Sequence, residues 1–253
     1  MEFFKYQGTG NDFVMIDNRR KQFDDTQANI GHICHRRFGV GADGLILIEN
    51  AEGYDFRMRY FNADGAEGSM CGNGGRCAVQ FASDLGIFQD TTRFLAVDGE
   101  HRSRIAEGSV FLHMIDVEGI EEEADGYFVN TGSPHLVIFS DNVDALDVKT
   151  LGSGIRYSPY WKSRGGVNVN FVQVVSADTL KVRTYERGVE DETYSCGTGV
   201  TAAAIVSHLR RAAAPDLLIQ TLGGTLKVSL NSGNRITGII LSGPAKRVFR
   251  GDL

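Results

Sequence analysis

Two short segments hold the residues best suited to covalent or proton-transfer chemistry: Met70-Cys71-Gly72-Asn73-Gly74-Gly75-Arg76 and Ser195-Cys196-Gly197-Thr198-Gly199. Each places a thiol before a Gly-x-Gly turn, and each turn feeds an apolar stretch that reads as a helix. Glycines allow the consecutive backbone N–H groups of such a turn to point at a ligand. The first-turn amides of a helix have no intrahelical partner, and the helix dipole is positive there. A carboxylate is favoured at that place, and so is the thiolate form of a cysteine. With two such turns facing each other, one thiol can take a proton from one face of a Cα while the other delivers a proton to the opposite face. Negative charge that builds on the substrate carboxylate would be met by the turn amides. The chemistry is stereoinversion by two bases, without an organic cofactor or a metal.

Other readings of these residues are available. A cysteine is often a small buried apolar residue, and that is the expectation for Cys34 and Cys77, which lie on apolar helix faces without a Gly turn. A redox pair of Cys71 with Cys77 or Cys196 is a further alternative, although the first spacing is not the C-x-x-C of a redox motif. His32, Cys34 and His35 are close in sequence, but their spacing gives poor ligand geometry on a helix. Gly39-Val40-Gly41-Ala42-Asp43-Gly44 looks superficially like a dinucleotide loop, yet it precedes a strand pattern rather than a helix. No lysine context marks a pyridoxal phosphate Schiff base.

The two cysteine turns belong to a longer repetition. Thr9-Gly10-Asn11-Asp12-Phe13-Val14-Met15-Ile16 is echoed by Thr131-Gly132-Ser133-Pro134-His135-Leu136-Val137-Ile138. Arg37-Phe38-Gly39-Val40 is echoed by Arg164-Gly165-Gly166-Val167, and Arg59-Tyr60-Phe61-Asn62 by Arg183-Thr184-Tyr185-Glu186. Gly99 follows Cys71 at the same distance at which Gly224 follows Cys196. Matches in one order and at nearly constant offset indicate an internal duplication.

The elements that must position the thiols follow from hydrophobic period. Phe13–Ile16, Leu45–Ile48, Phe56–Tyr60, Val169–Val175 and Leu180–Arg183 read as strands. Asp24-Asp25 could cap a helix with apolar positions Ile30, Ile33, Cys34 and Phe38. A helix after the first turn carries Ala78, Val79, Phe81, Ala82 and Leu85 and ends near Gly86; one after the second carries Ala203, Ala204, Ile205 and Leu209. Helices this apolar need burial nearly all round. The expected fold is α+β: two pseudo-symmetric lobes, each a mixed β-sheet or barrel wrapped around a central apolar helix. The boundary falls near 114–118, giving lobes of residues 1–115 and 116–241.

Composition narrows the class. The chain has 253 residues, 42% of them hydrophobic, and a net charge of −6. That balance lacks the basic face a nucleic-acid binder needs. The N-terminus has no basic head and long apolar run of a signal peptide, and no segment reaches the length of a membrane span. Four cysteines in a chain this long do not suggest a disulfide framework. The expectation is a soluble cytoplasmic protein acting on a small-molecule amino acid, without nucleic acid or membrane partners; a homodimer stays open.

The sequence resembles the diaminopimelate epimerase family. The resemblance runs over essentially the whole chain through Gly8-Thr9-Gly10-Asn11-Asp12-Phe13, Gly41-Ala42-Asp43-Gly44, Phe61-Asn62-Ala63-Asp64-Gly65, both cysteine motifs, Gly132-Ser133-Pro134-His135, Val167-Asn168-Val169, Tyr185-Glu186-Arg187-Gly188 and Gly243-Pro244-Ala245. It implies interconversion of LL- and meso-2,6-diaminopimelate on the route to lysine and peptidoglycan precursors, and a C-terminal strand, about 242–253, returning to the first lobe. It implies Cys71 and Cys196 as the acid–base pair, with His135 and Glu186 assisting proton movement. Amides of Gly72, Asn73, Gly197 and Thr198 would hold the reacting carboxylate. Asn11, Asn62, Asn168 and Arg187 would contact substrate, the last three chiefly at its distal end. Two positions depart from the family pattern: Ser133 stands where Asn is frequent, and Gly44 where some members carry Gln. A proline- or histidine-racemase-like activity, an isomerase of this fold that uses no cysteine pair, and a non-enzymatic binding module are the competing readings.

Overall fold

In the computed structural model, which describes every residue except Ser69 and Asn234, the chain divides into two units: Met1–Leu112 with Gly243–Leu253, and His113–Ser242. The first unit begins with a hairpin, β1 (Glu2–Gly8) and β2 (Asn11–Asp17), turned through Thr9-Gly10 with both residues at positive φ, 49° and 91°. Two positive-φ residues match the right-handed twist of the flanking strands. β2 pairs in parallel with β3 (Gly44–Glu49), which it reaches through α1 (Gln27–Cys34). β3 pairs antiparallel with β4 (Phe56–Asn62). The chain then enters α2 (Gly72–Asp84) and returns as β5 (Thr91–Ala96), parallel to β4. β6 (Gly99–Ala106) and β7 (Ser109–His113) extend the ladder as antiparallel hairpins. The last strand, Lys246–Asp252, pairs antiparallel with β1.

The second unit repeats this plan. A short hairpin, β8 (Glu121–Glu123) and β9 (Gly126–Asn130), leads to β10 (Pro134–Phe139), antiparallel to β9. β11 (Asn168–Ser176) lies parallel to β10, after α3 (Val148–Arg156) and α4 (Pro159–Ser163). β12 (Thr179–Glu186) is antiparallel to β11 and carries the short β13 (Asp191–Thr193). α5 (Gly197–Arg211) follows, then β14 (Asp216–Thr221) parallel to β12, and β15 (Gly224–Ser232) and β16 (Ile236–Gly243) as antiparallel hairpins. From β1 to β7, and from β9 through β12 and β14 to β16, the pairings run in one order: antiparallel, parallel, antiparallel, parallel, antiparallel, antiparallel. The helix enters at the same step in both. Gly99 and Gly224 open the equivalent strands β6 and β15 at φ of 122° and 132°, a region that favours glycine. The duplication read from the sequence is therefore a duplication of topology.

Each unit wraps its strands around one helix. α2 packs against β1 to β4, β6 and the last strand, β17 (Lys246–Asp252), and is buried from Gly72 to Val79 and again at Phe81 and Ala82. α5 packs against β9 to β12, β14 and β15 and is buried from Val200 to Ser207. A side chain such as Val79, Phe81 or Ile205, removed wholly from water, contributes about 1.5–3 kcal/mol.

Three expectations about local elements change. α1 ends at Cys34, and Phe38 lies beyond it, 74% exposed. The chain folds back instead, so that a Cβ on Gly39 would meet His32 O at 2.1 Å. The N-cap position of α1 is Thr26, while Asp24 Oδ1 accepts the Thr26 N–H at 3.2 Å and the Asp25 carboxylate is bound by Arg59. α3 and α4 were not read from the sequence, although Asp147 caps Thr150 N at 3.1 Å and Ser158-Pro159 opens α4. α3 contains Gly152, where a Cβ would come within 2.3 Å of Tyr185 Cβ; that glycine serves close packing rather than a turn. Both cysteine turns are themselves the first turns of their helices.

Candidate active site

In the first unit Cys71 is the N-cap of α2, with extended φ and ψ of −111° and 146°. Its Sγ accepts the Gly74 N–H at 3.1 Å. The thiol rests so closely over the first turn that a Cβ on Gly74 would lie 3.0 Å from it. The glycine three residues after the cysteine is thus required by the sulfur above it. A hydrogen-bonded chain runs from this turn. Arg76 Nη2 donates to Asn73 Oδ1 at 3.0 Å and to Thr9 Oγ1 at 3.0 Å. Asn73 Nδ2 donates to Asn11 Oδ1, and Asn11 Nδ2 donates to Asp43 Oδ2, both at 2.7 Å. Arg36 bridges Asp43 and Asp12, and Lys5 pairs with Asp12 at 2.7 Å. Burial alone would push Asp12 up, but Arg36 and Lys5 more than offset it and hold its carboxyl below the usual range.

Asn62 ends β4 and is exposed; its backbone closes a tight turn, donating to Ala66 O and accepting from Gly65 N, each at 2.9 Å. Gly44 lies opposite Asn62 in the ladder. A Cβ there would come within 2.4 Å of Phe61 O, so this backbone has no room for a side chain at position 44. Burial pushes the thiols of Cys34 and Cys77 up, to about 11 and about 12, and both stay protonated at neutral pH.

In the second unit Cys196 is the N-cap of α5, with φ and ψ of −118° and 114°. A Cβ on Gly199 would lie 3.3 Å from its Sγ and 2.4 Å from Asn170 Oδ1, so the same glycine requirement recurs. The sulfur faces Thr198 Oγ1 at 3.5 Å, and Thr198 Oγ1 faces His135 Nε2 at 2.9 Å. His135 is fully buried, and Asn170 Nδ2 approaches its Nδ1 at 3.1 Å. Asn170 also donates to Leu136 O at 3.1 Å and accepts from Thr184 Oγ1 at 3.0 Å, which fixes its amide with the nitrogen toward the imidazole. The network assigns the Nε2–H tautomer to His135: Nδ1 accepts from Asn170, Nε2–H donates to Thr198, and the Thr198 hydroxyl is left to donate to Cys196. Desolvation, with a smaller push from the positive charge of Arg187, pulls His135 down to about 3; its ring is neutral at pH 7.

Glu186 closes β12 as Asn62 closes β4, and its Oε2 accepts from Thr193 Oγ1 at 2.9 Å. Asn168 is buried, donates to Ser133 Oγ at 2.9 Å and Pro134 O at 2.8 Å, and accepts the Arg187 N–H at 2.8 Å. It ties Ser133 to the start of the Arg187 turn. Arg187 itself is exposed and reaches Gly165 O at 3.3 Å.

The first unit therefore gathers Asn11, Cys71, Gly72 and Asn73 at one helix start, with Asn62 at a strand end. The second gathers His135, Cys196, Gly197 and Thr198 at another, with Glu186 and Arg187 at the end of β12. Sequence reasoning missed Arg76, Asn170 and Thr184, and counted Thr198 for its amide alone. The signal for Asn170 was present: it alternates with Asn168 on one face of a strand whose neighbouring residues Val169, Phe171 and Val172 are apolar, and a polar side chain buried among them must have a partner.

Two lobes of one topology, each opening its buried helix on a cysteine, place the chain in the class of duplicated-lobe α+β enzymes. A phenazine biosynthesis protein of the PhzF family from Bacillus anthracis shares the fold over 100% of this chain and 98% of its own, with a TM-score of 0.79 at 14% identity. The model of the diaminopimelate epimerase family matches residues 3–107 and 127–248, and the chain belongs to that family. It is 50% identical over 253 residues to the diaminopimelate epimerase of Flavobacterium psychrophilum, covering 98% of each chain. It is 44% identical over 256 residues to that of Chlorobaculum tepidum, covering 97% of this chain and 98% of the relative.

Proposed function

We propose that this chain is an amino-acid epimerase that interconverts LL- and meso-2,6-diaminopimelate, with Cys71 and Cys196 as its acid–base pair, in the supply of lysine and peptidoglycan precursors. The observation that carries this reading is the repeated thiol placement. In each unit a cysteine N-cap sits over the first turn of a buried helix, with a glycine beneath the sulfur. Family membership and 50% identity to a named diaminopimelate epimerase over 98% of the chain support the substrate.

In the proposed reaction one thiolate takes the Cα proton from one face and the other thiol gives a proton to the opposite face. The electron pair left at Cα delocalises onto the carboxylate, and the amides of Gly72, Asn73, Gly197 and Thr198 stabilise the charge as it grows. Donors fixed on helix starts need no reorganisation at that moment. His135 acts through Thr198: as Cys196 loses or gains its proton, the Thr198 hydroxyl and the neutral imidazole hold the sulfur in place and smooth the charge change. Glu186 is the second proton-handling group of this half. Two thiols supply both proton-transfer groups, so the reaction as proposed needs no cofactor.

Abstraction at Cα uses groups common to every amino acid, so selection must come from the distal end of the substrate. Arg187 offers a planar fork for the distal carboxylate, Asn168 holds its turn by accepting the Arg187 N–H, and Asn62 is a further proposed contact to the distal end. The test is a kinetic panel of LL-diaminopimelate, lysine, histidine and proline on wild type and Arg187→Lys. Wild type should invert diaminopimelate alone. Arg187→Lys keeps charge but loses the fork, which at about 1.5–3 kcal/mol corresponds to roughly a 13- to 160-fold lower kcat/KM. Equal turnover of proline or histidine by wild type would replace this reading with that of a different racemase.

A further inference from the structure

Arg76 is fully buried, yet among the described residues it makes no ion pair with a carboxylate. Its bonds go to the Gly72 carbonyl at 3.3 Å, Asn73 Oδ1 and Thr9 Oγ1, and its Nε has no hydrogen-bond partner. A buried guanidinium without a counter-ion is costly. The surrounding structure is also arranged to hold it. Thr9, a β-branched residue, stays at φ 49° while its hydroxyl accepts from Arg76, and a Cβ on Gly8 would meet Arg76 Nη2 at 3.4 Å and Asn73 O at 3.2 Å. The equivalent position of the second unit is Thr201, uncharged and buried, which donates to the matching carbonyl of Gly197 at 2.9 Å. The two halves therefore share topology but differ in charge directly behind their cysteines.

We propose that Arg76 is the positioning residue that makes the Cys71 half-site the cationic one: it supplies an uncompensated positive charge behind the helix start and fixes the Asn73 and Asn11 amides in one direction, so that the resting enzyme carries its thiolate on Cys71 and its thiol on Cys196. This deepens the two-thiol reading above and rests on it. The direction of the amides follows from the ends of the chain: Arg76 can only donate, Asp43 accepts, and Asn73 and Asn11 between them must each turn nitrogen away from Arg76. Cys71 Sγ accepts a backbone N–H, as a thiolate does well, whereas Cys196 Sγ faces a hydroxyl next to a neutral imidazole.

Among the described contacts, the other ionisable groups of the elements packed against α2 are paired with one another, protonated or exposed. On α2, Cys77 stays protonated, and Asp84 at the far end bonds Tyr6 of β1. Lys5 of β1 and Arg36 are taken up by Asp12 and Asp43. On β3, Glu49 binds Lys21 and Asn18; on β4, Arg57 is exposed and Arg59 binds Glu67 and Asp25. On β6, His101 binds Asp98 while Arg102 and Arg104 are exposed, and on β17 Lys246, Arg247, Arg250 and Asp252 are exposed. In the second unit His135 reaches Cys196 through Thr198, the positive charge of the exposed Arg187 acts on His135, and Glu186 accepts from Thr193. Desolvation pulls Arg76 down to about 10, opposed by Cys77 and Cys71, so it remains charged at neutral pH.

The test is the pH profile of iodoacetamide alkylation of the intact enzyme without substrate, resolved for Cys71 and Cys196 by peptide mass spectrometry. In wild type the Cys71 midpoint should lie below that of Cys196. Arg76→Met should raise the Cys71 midpoint by about one pH unit, a tenfold smaller thiolate fraction below the midpoint. Arg76→Lys should keep it low, and neither variant should move Cys196, which general loosening of the fold would do. A wild-type Cys71 midpoint at or above that of Cys196 overturns the proposal, as does an unmoved midpoint in folded Arg76→Met. If Arg76→Met does not fold, wild type and Arg76→Lys still decide. Because no turnover is needed, a failure to epimerise diaminopimelate would sink the functional reading separately.

Discussion

Replacing Asn170 by aspartate changes one atom of a buried relay and reverses its polarity. Asn170 has three bonds: to His135 Nδ1 at 3.1 Å, to Leu136 O at 3.1 Å and from Thr184 Oγ1 at 3.0 Å. In Asn170→Asp the amide nitrogen becomes an oxygen that faces the Leu136 carbonyl, two acceptors without a proton between them. Such an arrangement costs about 1–3 kcal/mol of stability. The larger effect is on His135. A carboxylate beside Nδ1 draws the ring proton to that nitrogen, leaving Nε2 to accept from Thr198. The Thr198 hydroxyl then points at the imidazole and no longer at Cys196. Losing a positioned acid–base partner lowers rate by about 10²- to 10⁴-fold, and the effect should appear in kcat, with KM little changed, because no substrate-binding group is altered. Steady-state kinetics with LL-diaminopimelate give the rate, and nitrogen NMR of the His135 ring gives the tautomer, Nε2–H in wild type and Nδ1–H in the variant. A folded Asn170→Asp enzyme with wild-type kcat would refute the relay.

Further outcomes follow from the same geometry. His135 titrates at about 3 in the folded protein, against an ordinary 6.5. Between those values the unfolded chain binds a proton that the folded one does not, so stability present above pH 6.5 falls as pH drops, with a limiting slope of about 1.4 kcal/mol per pH unit. Urea melts should show that His135→Asn lacks this component; parallel curves for the two proteins across the window would contradict it. Gly74→Ala puts a Cβ 3.0 Å from Cys71 Sγ and 3.3 Å from Ile46 Cδ1. Overpacking of this kind costs about 1–3 kcal/mol, against the gain alanine normally brings inside a helix, and it displaces the thiol; a thermal melt and kcat both at wild-type values would refute the close fit.

What the sequence made legible was whatever has a local signal. The strands at Phe13–Ile16 and Leu45–Ile48 and the helices after the two cysteine turns carry period and burial in their own residues. The matched order of motifs exposed the duplication because pairing direction and turn chemistry were copied with them, down to the positive-φ glycines 99 and 224. Phe38 misled because its spacing from Ile30 and Cys34 is helical, while the fold-back that ends α1 depends on Gly39 meeting His32 through space. Gly152 hid α3 for a similar reason, since its partner Tyr185 is distant in sequence. Arg76 and Asn170 were passed over because an arginine and an asparagine read as surface residues until burial is known; their importance lies in partners on other elements. Asn168 shows the converse: its motif position drew attention, and the structure adds that its amide ties Ser133 to the Arg187 turn.

The most direct measurement of the central claim is deuterium uptake during the first turnovers of LL-diaminopimelate in heavy water. If one thiol serves each face, as proposed, the proton removed by one sulfur is not the one delivered by the other. Newly formed meso-diaminopimelate should therefore carry solvent deuterium at the inverted carbon, while recovered LL substrate stays largely unlabelled because the abstracting thiol returns its own proton. Equal deuterium in substrate and product from the first turnovers, or product that keeps the original hydrogen, would contradict two-base inversion by Cys71 and Cys196.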